Sequence, residues 1–332
     1  MGGHWEYSTS RETEPMFQPP ITYDGDKIRG LYRLADTLDQ VNWSAQMASN
    51  LNYAEEILPK VCEFLDTNIR KVAYNSDDLK VIVGISGIDS GVCAYLAAET
   101  MRRAKKSKSV REVSLTLVNF KSMSEDDVRD GKDYYRDLAS AYKDISVHFC
   151  EVDLTPRLRD FDSLTDEVLK ATHHPQVWPA EPSTGLIDLA TVNMGYKIGA
   201  ASLDSTNRTE GVIGELNIPS GCSIHILERF WKTQVYDLAY VLKMSYYLRH
   251  RKPVNSTYGV SKVDAYFGEI PRNFTPRQVY KVLDQVLKRI YEDHWSPELV
   301  SKDLGHSREF AERVRNKIYS QEHRRHIPVF LP

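Results

Sequence analysis

Short apolar runs alternate with helical patterns through the middle of the chain. Five runs predict β-strands, at residues 81–85, 113–120, 145–152, 199–204 and 223–227. Between and after them, apolar residues recur at helical spacing and predict helices at 91–103, 125–142, 156–169, 185–198 and 232–242. Because each crossover between parallel strands must return over the sheet, this alternation indicates helices on both faces. The pattern therefore predicts an α/β fold with a doubly wound, mostly parallel, five-stranded sheet.

The two ends of the chain differ from this central pattern. Residues 1–51 have little periodicity, apart from a short helix predicted at 28–38, and are expected to form an extension. An amphipathic helix predicted at 52–72 opens the main domain, which we place at residues 52–332. The C-terminal part is predicted to be helical, at 276–291, 297–304 and 307–320.

Composition and charge narrow the classes of function. The 332 residues are 41% hydrophobic with a formal net charge of −3, so a globular protein is expected and no charge excess favours nucleic acid or an anionic membrane surface. No apolar run is long enough to span a membrane, and no leader segment is recognisable. The four cysteines are widely spaced, without zinc-site intervals, and are expected to be reduced thiols. The sequence predicts a cytoplasmic protein that acts on small molecules.

A turn of small residues follows the first predicted strand. Residues 84–91 read GISGIDSG, and they lie where ligands bind in open α/β sheets, beyond the carboxyl end of a strand. Small residues let backbone N–H groups converge beside a helix N-terminus, which suits phosphate oxygens. Asp89 would repel a phosphate unless a divalent cation lies between them, so it points to Mg²⁺. Alternatively, Ser86 or Ser90 merely caps a helix whose N-terminus Asp89 favours.

Four motifs in order carry a family resemblance. Residues 86–90, SGIDS, resemble the S-G-G-x-D-S turn of the N-type ATP pyrophosphatases but lack one residue, and no lysine follows in the Walker A manner. Residues 203–210, LDSTNRTE, are similar to the G-T-x-N-[KR]-[ST]-E block of NAD synthetases, and residues 231–239, WKTQVYDLA, to the L-x-K-T-Q-V-x-x-L-A helix of that family. Residues 322–328, EHRRHIP, resemble its H-K-R-x-x-P tail. Together they resemble the NAD synthetase family over roughly residues 52–330.

The resemblance implies a role for each matching residue. It implies that Asp89 and Glu210 bind Mg²⁺, that Lys232 neutralises phosphate charge during the reaction, and that these three are the catalytic residues. It implies that His323 and Arg324 contact the dinucleotide substrate. The expected ATP-binding residues are Gly84, Ile85, Ser86, Gly87, Ile88, Asp89, Ser90, Ser205 and Lys232.

The resemblance also implies a reaction and its partners. A substrate carboxylate attacks the α-phosphate of ATP, pyrophosphate leaves, and ammonia then displaces AMP to form an amide. The expected substrate is nicotinate adenine dinucleotide and the expected product is NAD. We expect ammonia to be free or supplied by a separate glutaminase, and we expect a homodimer with the 52–72 helix as the candidate contact.

The side of the second substrate departs from the family pattern. The segment 184–198 contains no Arg, although the family has one there that contacts the nicotinate-bearing substrate. The loop after Glu210 is shorter and lacks the K-x-G-D sequence of the family. Because such partners decide which substrate is accepted, two alternatives stay open. One is the same chemistry on a different carboxylic acid, and the other is a non-catalytic nucleotide-binding relative.

Overall fold

The computed structural model describes residues 32–33, 51–72, 77–120, 125–157, 182–214, 224–245 and 276–320, together with 159, 160, 163 and 167. The strands are β1 (Tyr32–Arg33), β2 (Asp78–Gly84), β3 (Glu112–Phe120), β4 (Ser146–Val152), β5 (Ala201–Asp204) and β6 (Ile224–His225). The helices are α1 (Leu51–Val72), α2 (Ile88–Lys106), α3 (Glu125–Ala141), α4 (Pro182–Ile198), α5 (Arg208–Ile213), α6 (Lys232–Val241), α7 (Pro276–Tyr291), α8 (Pro297–Leu304) and α9 (Arg308–Ser320).

The described strands form one parallel sheet in the order β1-β6-β5-β2-β3-β4. Val81 of β2 pairs with Leu115 of β3 on one side and with Ala201 of β5 on the other. The chain therefore builds the sheet outward from β2 to β4, and then returns to the opposite side of β2 for β5 and β6. This reversal confirms the predicted doubly wound sheet, and it creates a topological switch point between β2 and β5.

The edge strand β1 corrects the prediction for the N-terminal segment. A helix was expected at residues 28–38, but Tyr32 and Arg33 form a strand that pairs with Ile224 and His225 of β6. The expectation was wrong because a two-residue strand is held by its distant partner and leaves no periodic signal in its own sequence. The rest of the proposed extension, most of the predicted 156–169 helix, Cys222, His323 and Arg324 lie outside the described residues.

Helices cover both faces of the sheet. The buried side chains of α1, α2, α3 and α6 form the larger hydrophobic core on one face of the central strands. On the other face, Ile187, Ala190 and Met194 of α4 pack against Ile82 and Phe120. Because β2 is covered on both sides, it reads as a near-continuous apolar run, as is typical of a central parallel strand.

Helix α1 has its apolar side inside its own chain. Ile57, Val61, Leu65 and Ile69 recur at helical spacing and are all at most 1% exposed, within the larger core. An interface between subunits could therefore use only the polar side of α1.

Among the described helices, none is both long and apolar enough to cross a bilayer.

The C-terminal helices build a second hydrophobic core beside the sheet. Residues of α7, α8 and α9, such as Leu283, Val300 and Phe310, pack together in it. Val212 and Ile213 of α5 and Trp231, the residue before α6, belong to the same core. The two short segments after β5 and before α6 are thus held between the sheet and the C-terminal helices.

Candidate active site

The three predicted catalytic residues lie at the starts of helices beside the switch point of the sheet. Asp89 is in the first turn of α2, directly after β2, and Glu210 is in the first turn of α5, directly after β5. Since β2 and β5 are neighbouring parallel strands, their carboxyl ends open into the same crevice. Lys232 reaches this crevice from the first residue of α6.

The turn between β2 and α2 is organised by one hydroxyl group. Ser90 Oγ accepts hydrogen bonds from the backbone N–H groups of Ser86 (3.0 Å) and Gly87 (3.2 Å), and it donates one to the Gly87 carbonyl (3.1 Å). A Cβ atom built on Gly87 would meet nothing within 4 Å, whereas one on Gly91 would lie 2.5 Å from the Tyr134 ring. Gly91 is therefore required by packing, and Gly87 borders open space beside the backbone N–H groups of the turn.

Three charged side chains meet in the crevice. The Lys232 ammonium forms an ion pair with Asp89 Oδ2 and a second one with Glu210 Oε1 at 3.4 Å. The side chains of Lys232, Asp89 and Glu210 are 9%, 16% and 30% exposed, so the cluster opens to solvent on its acidic side. We call Asp89, Glu210 and Lys232 the charge cluster.

Asn207 fixes the two acids of the charge cluster relative to each other. Its side-chain Nδ2 donates to Asp89 Oδ1 at 2.9 Å, and its Oδ1 accepts from the Glu210 backbone N–H at 3.1 Å. Glu210 Oε2 in turn accepts from the Asn207 backbone N–H at 3.3 Å, which completes a capping box at the start of α5. The same asparagine therefore caps the helix that carries one acid and bonds the other acid directly.

Burial and the two acids act in opposite directions on Lys232. Burial alone lowers the pKa of its ammonium, but the charges of Asp89 and Glu210 raise that pKa well above the ordinary lysine value. The ammonium also lies 5.5 Å from the centre of the Tyr280 ring, within reach of a cation–π contact. The Lys232 side chain is therefore positively charged at neutral pH, in the crevice that it shares with Asp89 and Glu210.

The remaining predicted ATP-binding residues are placed around the turn. Ile85 has a buried side chain, its N–H donates to the Val118 carbonyl at 2.8 Å, and its carbonyl accepts from Asn119 Nδ2 at 2.9 Å. Ile88 is the first residue of α2, is half-buried and packs against the larger core.

Two further predicted residues lie at the ends of the central strands. Gly84 ends β2, and a Cβ atom there would come within 3.3 Å of Thr191 Oγ1 on α4. Ser205 directly follows β5 and is half-buried. Both therefore border the switch-point crevice.

The donor set fits a magnesium ion that arrives with a nucleotide. Two carboxylate oxygens from different loops already converge on one positive charge, the Lys232 ammonium, and hard carboxylate oxygens are the ligands that Mg²⁺ prefers. Within the described parts of the chain, no group of three or more His, Cys, Asp or Glu side chains could hold a metal ion. Mg²⁺ commonly uses one or two carboxylates together with substrate phosphates, so Asp89 and Glu210 suit that manner of binding.

Three residues at the site were not predicted as site residues from the sequence. The N-x-x-E spacing of Asn207 and Glu210 is a capping-box signal that could have pointed to Asn207. Thr209 bonds the backbone of Lys232, and Asp284 bonds Thr209 from the distant helix α7. An acid beside the apolar stripe of α7 was the only signal that Asp284 left in the sequence.

A crevice at the switch point of a parallel sheet is the place where open α/β proteins bind their ligands, and this chain has the architecture of that class. A sequence profile of the NAD synthase family matches residues 190–328, which include Glu210 and Lys232. The chain is 23% identical over 282 residues to an NH₃-dependent NAD⁺ synthetase of Pyrococcus furiosus, covering 84% of this chain and 95% of that protein. The chain therefore resembles NAD synthetases along most of its length, and its C-terminal part matches the profile of that family.

Solved structures agree with this resemblance at the level of the fold. The structure of NMN synthetase from Francisella tularensis is similar with a TM-score of 0.56 at 15% identity, covering 84% of this chain and 98% of that one. NH₃-dependent NAD synthetase from Campylobacter jejuni gives a TM-score of 0.51 at 15% identity, with coverages of 84% and 99%. The doubly wound sheet is therefore shared with these proteins.

Proposed function

We propose that this protein is an ammonia-dependent NAD synthetase, a ligase that converts the carboxylate of nicotinate adenine dinucleotide to the amide of NAD. ATP is the second substrate, and AMP and pyrophosphate are the other products. One observation carries the proposal: Lys232 and two carboxylates from separate loops converge at the switch point of the sheet, in a chain that resembles NAD synthetases. The similarity to ammonia-dependent relatives along most of the chain supports ammonia as the nitrogen source.

The reaction needs an activated acyl group, because a carboxylate oxygen is a poor leaving group and AMP is a good one. In the first step, an oxygen of the substrate carboxylate attacks the α-phosphorus of ATP, and the bond to the pyrophosphate oxygen breaks. In the second step, ammonia attacks the acyl carbon, AMP leaves with the electron pair, and a proton is lost from nitrogen. The protein contributes by holding the reactants in line and by offsetting charge.

The turn and the charge cluster are suited to these tasks. Gly87 borders open space at the N-terminus of α2, a favourable place for phosphate oxygens, while the N–H groups of Ser86 and Gly87 donate to Ser90 Oγ and hold the turn in shape. The Lys232 ammonium stabilises the negative charge that grows on the leaving pyrophosphate. Asp89 and Glu210 would hold Mg²⁺, which supplies further positive charge to the phosphates when it is bound.

A screen for pyrophosphate release tests the proposed activity. The protein is incubated with ATP, Mg²⁺, ammonium and one of several acids: nicotinate adenine dinucleotide, nicotinate mononucleotide or other carboxylates. We expect equal amounts of pyrophosphate and AMP with the dinucleotide, and NAD as the amide product. Release with only another acid would reassign the substrate, and no release with any acid would favour a role in nucleotide binding alone.

A charge-removing substitution tests the role of Glu210. Glu210→Gln keeps an oxygen that can accept from the Asn207 N–H, so the capping box and the fold are preserved. We expect turnover to fall by about 100-fold, the scale seen when one electrostatic contact to a transition state is lost. The matched control is Glu292→Gln, which breaks an ion pair with Arg208 at 3.2 Å and removes an acid that is not part of the charge cluster. Equal turnover of the two variants would remove Glu210 from the site.

Location and assembly complete the proposal. Cys62, Cys93 and Cys150 are free thiols, which suits the reducing cytoplasm. A homodimer is proposed from the family resemblance, with a contact that does not use the buried apolar side of α1. Light scattering that gives the mass of a single chain at micromolar concentration would reject the dimer.

A further inference from the structure

Asp284 is a buried carboxylate on α7, and among the described residues its hydrogen bonds go to the two segments that carry Glu210 and Lys232. Its side chain is fully buried. Oδ1 accepts from the Thr209 hydroxyl at 2.6 Å, and Oδ2 accepts from the Thr233 backbone N–H at 2.8 Å and the Thr233 hydroxyl at 2.6 Å. The carboxylate therefore bonds the residue before Glu210 and the residue after Lys232.

Thr209 extends this connection to Lys232 itself. Its hydroxyl oxygen accepts the backbone N–H of Lys232 at 2.8 Å while its proton goes to Asp284. The N-terminal turn of α6 is thus held by Asp284 directly at Thr233 and through Thr209 at Lys232. Because Thr209 and Glu210 are adjacent in α5, the same bonds set where the Lys232 side chain starts relative to the Glu210 carboxylate.

Packing alone gives no reason for an acid at this position. Neighbouring positions of α7 are apolar and fully buried, namely Val279, Leu283, Val286 and Leu287. Burial raises the pKa of Asp284 to about 6, which means that the ionised carboxylate is costly there despite its hydrogen bonds. A hydrophobic side chain of similar volume is often as good or better for stability at such a place.

We propose that Asp284 is a positioning residue, which holds Lys232 at the fixed place from which its ammonium reaches the carboxylates and the phosphates of ATP. Asp284 itself does not touch the substrate. The inference rests on the proposed ligase function for its kinetic consequence, but the placement of Lys232 can be measured without any turnover. It also means that α7, a helix of the second core, takes part in the site at the end of the sheet.

The test compares variants of the same pair of helices. Asp284→Ala removes all three hydrogen bonds. Asp284→Asn keeps one oxygen that accepts from Thr233, and its amide N–H can donate to the Thr209 hydroxyl oxygen. The control is Asp237→Ala, because Asp237 is also a buried acid, 3% exposed, that ties α6 to α7 through Arg277 at 2.9 Å. That tie lies one turn further along α6 and does not involve Lys232.

The first measurement is steady-state pyrophosphate release at varied ATP. We expect Asp284→Ala to lower kcat about 100-fold, as a misplacement of roughly 1 Å can do, with a change in KM for ATP below about threefold. Asp284→Asn is expected to stay within about fivefold of the wild-type kcat, and Asp237→Ala within about threefold. Equal losses of kcat in Asp284→Ala and Asp237→Ala would overturn the proposal.

The second measurement follows Lys232 directly by competitive acetylation and mass spectrometry, without substrate. In the wild type the paired, buried amine should react slowly, and in Asp284→Ala its acetylation rate should rise by about tenfold or more while Asp237→Ala stays near the wild type. If Asp284→Ala does not fold, Thr209→Val serves instead, since it removes the acceptor for the Lys232 N–H and leaves Asp284 bonded to Thr233. Unchanged acetylation of Lys232 in the variants would overturn the positioning role, whereas absent pyrophosphate release in the wild type would count only against the proposed function.

Discussion

Replacing Lys232 by Met removes the one positive charge of the charge cluster. Methionine has nearly the same length, so the hydrophobic stem is kept while Asp89 and Glu210 are left facing each other. Breaking a fully buried ion pair by removing one partner costs about 3–5 kcal/mol; because both acids are partly exposed and water can reach them, we expect a loss of about 2–3 kcal/mol.

The assay is urea unfolding at pH 7, combined with a double-mutant cycle. Asp89→Asn and Lys232→Met are measured singly and together, with Asp66→Asn and Arg70→Met as a control pair on the surface of α1, where the ions lie 3.1 Å apart. In the charge cluster we expect the double variant to be more stable than the sum of the single losses by about 2 kcal/mol, against at most about 0.5 kcal/mol for the half-buried pair on α1. Additive effects at Asp89 and Lys232 would refute the view that this pair is stabilised by its mutual charge.

Three further predictions concern the two glycines of the turn, Asp284 and Cys62. Gly87→Ala should change the free energy of unfolding by less than about 1 kcal/mol yet raise KM for ATP, because its methyl group enters open space at the turn. Gly91→Ala should lower the free energy of unfolding by about 1–3 kcal/mol, because its methyl group meets the Tyr134 ring. Burial raises the pKa of Asp284 from 3.8 to about 6, so ionisation of Asp284 costs stability as pH rises through that window. Urea unfolding should show Asp284→Asn gaining on the wild type by up to about 3 kcal/mol between pH 4 and pH 7, and a constant difference would contradict the raised pKa. Burial raises the pKa of the Cys62 thiol to about 11, so at pH 8 it should react with a chromogenic disulfide reagent only after unfolding, as peptide mapping of the labelled protein can check.

The central sheet could be predicted because each of its strands is an apolar run with helices on either side. The runs at 81–85 and 113–120 correspond to β2 and β3 with small shifts of their ends. The run at 199–204 begins two residues before β5 because Gly199, with a φ of 66°, still belongs to the end of α4. The short edge strand β1 could not be predicted, since it depends on backbone pairing with β6, almost two hundred residues away.

The site was predictable where its residues lie in local motifs. Asp89, Glu210 and Lys232 each stand in a recognisable block, and the structure brings the three together, although their roles toward ATP and Mg²⁺ stay predictions. Asp284 could not be found in this way, because its partners lie 51 and 75 positions away along the chain and no spacing rule links them. Tertiary hydrogen bonds of this kind arise only once the helices have packed.

The second core gives the site an order of assembly during protein synthesis. All described strands of the sheet have left the ribosome once His225 has emerged, and the segments bearing Asp89 and Glu210 are then already complete. Helix α7 follows some fifty residues later, and with it comes the carboxylate that bonds Thr209 and Thr233. A nascent chain stalled before Pro276 would therefore contain the strands of the sheet but lack the Asp284 hydrogen bonds that hold the segment of Lys232. A C-terminal truncation before Pro276 would lack the same hydrogen bonds.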